Sequence, residues 1–317
     1  MADIGDTHLY YEMAGEGVPV ILIHAHSMDL RMWDPQFMEL AKHYKVVRYD
    51  MRGYGLSDMP VEGQNFLHVD DLHKLMHYLG IEKTHIVGLS LGSFVCVDSL
   101  VLYPEQTLSI TVASGGIRDT LVPDNATPEQ RAVAQVKARQ EKLASIETVR
   151  KQGVGAFKKE WLDHMVKDCG PYGERIRPKL RQMIEDWSAW QVLHVESPWE
   201  LDPPVAVQIK TNKPDIPVLV LIGEDDTEGS HNSSEYLAQI VPNARKCYLK
   251  DAGHFSNIET PTAFNRVLTE FLKSISVLPE ATKANVYDSH TVSVIHSKVF
   301  FFAKLWDLSL STNSIKH

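Results

Sequence analysis

Three cysteines in 317 residues, at positions 96, 169 and 247, leave sulfur little to do. They are odd in number and widely spaced, so the chain carries neither a disulfide framework nor a thiolate metal site. A reducing compartment, the cytoplasm, is the expected location. Basic clusters are missing as well: 32 Lys and Arg stand against 41 Asp and Glu, a formal charge of −9. Without a basic patch there is nothing to meet a phosphate backbone, so nucleic acid is not an expected partner. No apolar run approaches the roughly 20 residues that span a bilayer, and no integral membrane segment is expected. The start, Met1-Ala2-Asp3-Ile4-Gly5-Asp6, is acidic and lacks the apolar centre of a signal peptide.

An apolar content of 44% with 23% charged residues is enough to bury the core of one large domain with an insert, or of two modest ones. Strands and helices alternate through the first third. Strands are predicted at 7–13, 18–23, 45–49, 84–87 and 108–113, and helices at 35–43, 69–79 and 93–103. The run 18–23 is continuously apolar, as in a strand buried on both faces. From 118 to 212 strand-like runs vanish, and polar helices carrying Trp161, Trp187, Trp190 and Trp199 take over. Alternation resumes with strands at 216–222 and 245–249 and helices at 234–240 and 261–275. The pattern is α/β, a doubly wound and mostly parallel sheet, with a core at 1–117 and 213–276 and a helical cap inserted at 118–212.

Gly88-Leu89-Ser90-Leu91-Gly92 sits between a β-branched strand and a helix stopped by Pro104. A strand feeding directly into a helix forces a sharp turn at Ser90, and the flanking glycines allow close backbone approach. The hydroxyl is then held at a helix N-terminus, where free amides favour developing negative charge. A serine needs a base, and the base an orienting carboxylate. His254, in Asp251-Ala252-Gly253-His254-Phe255, follows one strand; Gly223-Glu224-Asp225-Asp226 follows another. Asp226 is the first choice of acid, with Asp225 and then Glu224 behind it. The order Ser90, Asp226, His254 is the one an α/β-hydrolase requires.

With these segments, and with Ile23-His24-Ala25-His26-Ser27, Asp50-Met51-Arg52-Gly53-Tyr54-Gly55-Leu56-Ser57 and Glu259-Thr260-Pro261, the chain resembles the α/β-hydrolase superfamily over about 7–275. The resemblance implies Ser90 as nucleophile, His254 as base, Asp226 as its acid, and the helical insert as the cap over the pocket. Serine at position 90 resembles the esterase, lactonase and C–C hydrolase branches; dehalogenases and epoxide hydrolases carry aspartate there.

The oxyanion donors expected are the backbone amides of Leu91 and, by position, His26. Ala25 stands where the family usually has glycine, so a positive φ there would cost roughly 1 kcal/mol and alter the loop's path. His24 and His26 have no nearby Asp, Glu or Cys to complete a metal site, and no metal or organic cofactor is expected. Asp50 and Arg52 read as structural, since the spacing lacks both a third glycine and a P-loop lysine. Trp33 and His24 are candidate substrate-binding residues, Trp33 suiting a core position equally well. The cap tryptophans, Met165 and Met183 suit either an apolar substrate wall or helix packing.

The reading that follows is hydrolysis of a small or medium carboxylic ester or lactone through an acyl-enzyme. The rivals are a C–C bond or enol-lactone hydrolase of aromatic breakdown, whose anionic substrate would favour a cationic group in the pocket such as Arg31 or Arg118, and a non-catalytic ligand-binding protein on the same fold. Acyl transfer to a nucleophile other than water also belongs to this chemistry. The tail 277–317 stands apart. Val292, Ile295, Val299, Phe302 and Trp306 fall at helical spacing, but Phe300-Phe301-Phe302 interrupts the polar face. It reads as an extension, with a membrane surface, a partner or a homo-oligomer as the alternative use of its apolar side chains.

Overall fold

The computed structural model describes residues 1–118, 126–195 and 201–276. Expectations for Trp199 and for the tail from 277 onward fall outside these residues. A short antiparallel pair opens the chain, β1 (Ala2–Asp3) with β2 (His8–Leu9). Then follow β3 (Tyr11–Ala14), β4 (Pro19–Ile23), α1 (Asp34–Leu40), β5 (Lys45–Tyr49), α2 (His68–Tyr78), β6 (Thr84–Leu89), α3 (Leu91–Leu102) and β7 (Thr107–Ala113). Helices alone follow among the described residues: α4 (Pro128–Gln152), α5 (Val154–Lys167), α6 (Gly173–Asp186), α7 (Trp190–Leu193) and α8 (Val205–Asn212). The chain closes with β8 (Val218–Gly223), α9 (Glu228–Ile240), β9 (Arg245–Leu249), α10 (Ser256–Glu259) and α11 (Pro261–Ser276). No helix among the described residues is long and apolar enough to cross a membrane.

The main sheet has the order β3-β5-β4-β6-β7-β8-β9, parallel throughout except for β3, which runs antiparallel to β5. From β4 the chain winds to one side through β5 and to the other through β6. The crevice beyond the C-terminal ends of β4 and β6 is therefore the topological switch point, where open α/β sheets bind ligands. Ser90 leaves the end of β6 and the loop His24–Ser27 leaves the end of β4, so both open onto it.

Alternate residues of each central strand feed opposite layers. Ile21, Ile23, Ile86, Val218 and Val220 join one apolar cluster with side chains of α2, α3, α8 and α9. Val20, Leu22, Val87, Leu219 and Leu221 join the other with α1, α10 and α11. Burying one such side chain contributes roughly 1.5–3 kcal/mol, so both faces must be covered. The second layer also takes in Leu162, Met165 and Val166 of α5 and Ile176, Leu180, Met183 and Ile184 of α6. α8, at the end of the helical stretch, packs on α3 and α9.

Local differences from the sequence reading have local causes. The strand expected at 7–13 breaks at Tyr10, whose amide donates to Ser57 Oγ at 2.8 Å and whose carbonyl accepts from the Asp50 amide at 2.9 Å. The helix expected from 234 starts at Glu228, because the Thr227 side chain caps it by accepting the Ser230 amide at 3.2 Å.

Candidate active site

Ser90 adopts φ 54° and ψ −112° between β6 and α3. A non-glycine residue with positive φ costs on the order of 1–3 kcal/mol and persists only where its surroundings hold it. Here the Ser90 amide donates to Ala113 O of β7 at 2.9 Å, and Ser90 O accepts from the Ser93 amide at 2.9 Å and the Ser93 hydroxyl at 2.5 Å. A side chain at position 88 would collide with the Gly92 carbonyl, and one at position 92 with the Ile23 carbonyl. Only glycine at these two positions lets α3 rise directly from the sheet and press against the loop leaving β4.

In that loop the left-handed residue is Ser27, at φ 58°, and Ala25 has no positive φ. Alanine therefore carries no strain, and the expected penalty at this position does not arise. The Ala25 amide donates to Met32 Sδ at 3.1 Å, and Trp161 of α5 donates its indole N–H to Ser27 Oγ at 2.7 Å. The His26 ring shares a 2.8 Å hydrogen bond with Tyr54 Oη and sits edge-on to Trp161 and Trp187. Burial, aided by the nearby Lys142 charge, pulls its pKa down to about 4, so the ring is neutral at pH 7.

Two expectations are corrected here. His24 is fully buried, its Nε2 accepts the Met51 amide at 2.9 Å and its Nδ1 donates to Ala25 O at 2.8 Å. With both nitrogens committed to backbone, its ring shapes the loop and offers nothing to a substrate. Trp33 is likewise inaccessible and packs on Phe264 at 6.0 Å between ring centres, inside the second core layer. Met165 and Met183 are buried in that layer too.

β8 and β9 are hydrogen-bonded neighbours, which brings the loops after them together. Glu224 and Asp225 point to solvent, whereas the Asp226 side chain has no exposed surface. Asp226 Oδ1 accepts His254 Nδ1–H at 2.9 Å and the Thr227 amide at 2.7 Å. Ser230 Oγ lies 3.3 Å from the same ring nitrogen. Burial opposes the His254 imidazolium, but the hydrogen bond and charge of Asp226, with Asp168 and Glu259 beyond, outweigh it and raise the pKa. In Asp226 burial acts upward, and its bond to His254 reverses this to hold the carboxyl below its ordinary value.

The Asp50 loop is a fastening. Asp50 takes the amides of Leu30 and Leu56, each at 2.8 Å, and Arg52 grips Asp71 with two bonds of 2.9 and 2.7 Å. Arg31 is held by Asp29 and Asp186, and Arg118 by Asp98. Ser27, Ser230 and Glu259 were not singled out as individual site residues by sequence reasoning. Glu259 had a sequence signal, since it stands five residues after His254 and just ahead of Pro261.

A serine at a strained strand-to-helix turn and a paired histidine and aspartate on the same edge of a doubly wound sheet are features of one class of protein. The profile of the alpha/beta hydrolase fold family matches residues 18–261, and the chain belongs to that family. Among its relatives is the 3-oxoadipate enol-lactonase 1 of Acinetobacter baylyi, 26% identical over 264 residues, 82% of this chain and 91% of that one. A thermophilic esterase from Thermogutta terrifontis superposes with a TM-score of 0.69 at 26% identity, covering 85% of this chain and 94% of the other. The enol-lactonase of Burkholderia xenovorans shares the fold at TM-score 0.66 and 23% identity, covering 86% and 99%.

Proposed function

We propose that this protein is a serine hydrolase that cleaves a small to medium carboxylic ester or lactone through an acyl-enzyme. The observation that carries the reading is the conformation of Ser90, held at positive φ by β7 and by α3's first turn. Backbone strain of this kind clusters at active sites, where the surrounding structure holds it. His254 Nδ1 is committed to Asp226, which leaves Nε2 to take the Ser90 proton as Oγ attacks the carbonyl carbon. The amides of Leu91 and His26 are the donors for the resulting oxyanion, each worth roughly 3–4 kcal/mol when well placed. His254 then returns the proton to the leaving alkoxide, and a water deprotonated by the same ring releases the acyl group. Nothing in this sequence requires a cofactor. The helical insert, through Trp161 and Trp187 around His26, acts as the cap.

Neutral esters are favoured over anionic ones because both arginines offered by the sequence, Arg31 and Arg118, are already bound to carboxylates. Enol-lactone hydrolysis is the second reading, favoured by the likeness to the Acinetobacter enol-lactonase. Three free thiols suit a reducing location such as the cytoplasm. The test is S90A with p-nitrophenyl esters and a fluorophosphonate probe. Turnover and labelling are expected to vanish while the circular dichroism spectrum is kept; undiminished turnover sinks the assignment. Labelling of the wild type without turnover of any ester or lactone would favour a ligand-binding protein. Faster turnover of carboxylated than of neutral esters would favour the enol-lactone reading.

A further inference from the structure

Glu259, at the end of α10, is fully buried and has no role in the steps above. Its carboxylate collects three backbone amides. Oε1 accepts Phe255 N–H at 2.9 Å; Oε2 accepts Gly253 N–H at 2.9 Å and Gly170 N–H at 2.6 Å. Donors converge on both oxygens, the pattern of an ionised carboxylate. Two of these amides flank His254. The third belongs to the turn between α5 and α6 of the helical insert.

The same turn reaches back, since Asp168 O accepts the His254 amide at 2.9 Å. The two segments are in van der Waals contact: a side chain on Gly253 would strike Asp168 O and Gly170 N. Arg175 of α6 donates to Glu259 O, adding a second tie from the insert to α10. The base loop is therefore clamped from both sides by one buried charge.

We infer that Glu259 is a positioning residue that fixes the His254 loop and the Asp168–Gly170 turn of the insert as one unit, so that seating of the insert and aim of the base are coupled. This rests on the reading of His254 as base only for its catalytic consequence. Opening of the insert must then pivot about the α5–α6 turn rather than lift it.

Neither orientation of a glutamine can satisfy three N–H donors, because its NH2 must face one of them. In E259Q, kcat for a p-nitrophenyl ester is expected to fall on the order of 10- to 100-fold as the ring loses its aim, with KM changed far less. The charged groups facing His254 are Asp226, Asp168 and Glu259. Losing one of the three makes the imidazolium less favourable, so the acid limb of kcat/KM moves to lower pH in E259Q and stays in place in E259D. The limb reports the lost charge, whereas the fall in kcat per folded molecule reports the lost aim; a purely structural role would lower the yield of folded protein and leave that kcat unchanged.

Amide hydrogen exchange on the wild type supplies a test that needs neither variant nor turnover. After correction for intrinsic rates, Gly170, Gly253 and Phe255 are expected to exchange within about threefold of one another, as a cooperative unit does. Gly170 exchanging a hundredfold faster than the other two would overturn the coupling. A folded E259Q with wild-type kcat would overturn the positioning role, whether or not the acid limb moves. Activity retained in S90A would remove the catalytic reading while leaving the exchange result to stand or fall by itself.

Discussion

Replacing Asp226 by Asn removes one negative charge and almost no volume. In the native site Oδ1 accepts both His254 Nδ1–H and the Thr227 amide, while the rest of the carboxylate lies beside the Ser114 hydroxyl. An asparagine with its oxygen in the Oδ1 position keeps both accepted bonds and turns its NH2 toward Ser114. The substitution thus isolates charge from geometry. Two unit charges 2.9 Å apart attract by about 6 kcal/mol at an effective dielectric of about 20. The imidazolium spreads its charge over two nitrogens, so between half and all of this is lost in the transition state. At 1.36 kcal/mol per tenfold, kcat/KM should fall by about 10²–10⁴. The pH profile should move as well. Asp226 holds the His254 pKa up against burial, so without it the pKa drops and the acid limb shifts to lower pH. Steady-state hydrolysis of p-nitrophenyl acetate from pH 5 to 9 reads both, with circular dichroism as the folding control. A loss of less than tenfold, or an acid limb that does not move, would refute the assignment of Asp226 as the partner of the base.

Other consequences can be measured separately. Burial pushes His85 down to about 4 from an ordinary 6.5, so the unfolded chain binds a proton there that the folded chain refuses. In H85Q this acid penalty is gone, and its denaturant stability relative to wild type should improve by up to about 1.4 kcal/mol per pH unit between 6.5 and 4; parallel stability profiles would contradict the assignment. R52Q leaves Asp71 buried without its bidentate partner and should cost about 3–5 kcal/mol in urea unfolding, with kcat per folded molecule unchanged. W161F loses the 2.7 Å bond to Ser27; a neutral hydrogen bond is worth about 1 kcal/mol, so kcat should drop about fivefold with KM held within twofold. An unaltered kcat would separate Trp161 from the oxyanion loop.

Much of the fold was legible because the sheet's continuous apolar runs and the strand–turn–helix at Ser90 are local signals. Chain order placed an acid after β8 but could not choose among its three carboxylates; the family-like spacing Gly223-x-x-Asp226 singled out Asp226, which is the one that reaches His254. The neighbouring histidines show where such reading stops. His24 and His26 are two residues apart, yet one is sealed by the amide of distant Met51 and the carbonyl of neighbouring Ala25, and the other turns toward Tyr54 and two tryptophans. Ala25 looked anomalous because the strain was assigned to the wrong residue, when Ser27 absorbs the turn. Glu259 stayed hidden as a functional candidate because its partners are amides brought together only by tertiary structure.

The shared apolar layer of α5, α6 and the sheet has a consequence for any attempt to exchange parts between relatives. Leu162, Met165, Leu180, Met183 and Ile184 lie in one cluster with Met28, Met32 and Phe255 of the sheet-bearing half. A chimera that imports another protein's α5 and α6 inherits a mismatched jigsaw and leaves holes or clashes beneath Phe255, each costing kilocalories. Shuffling would succeed only if the seam were carried along with the graft. The outward α4, which buries only Ile146 and Val149, lies outside that seam and is the segment whose side chains can diverge at least cost to packing.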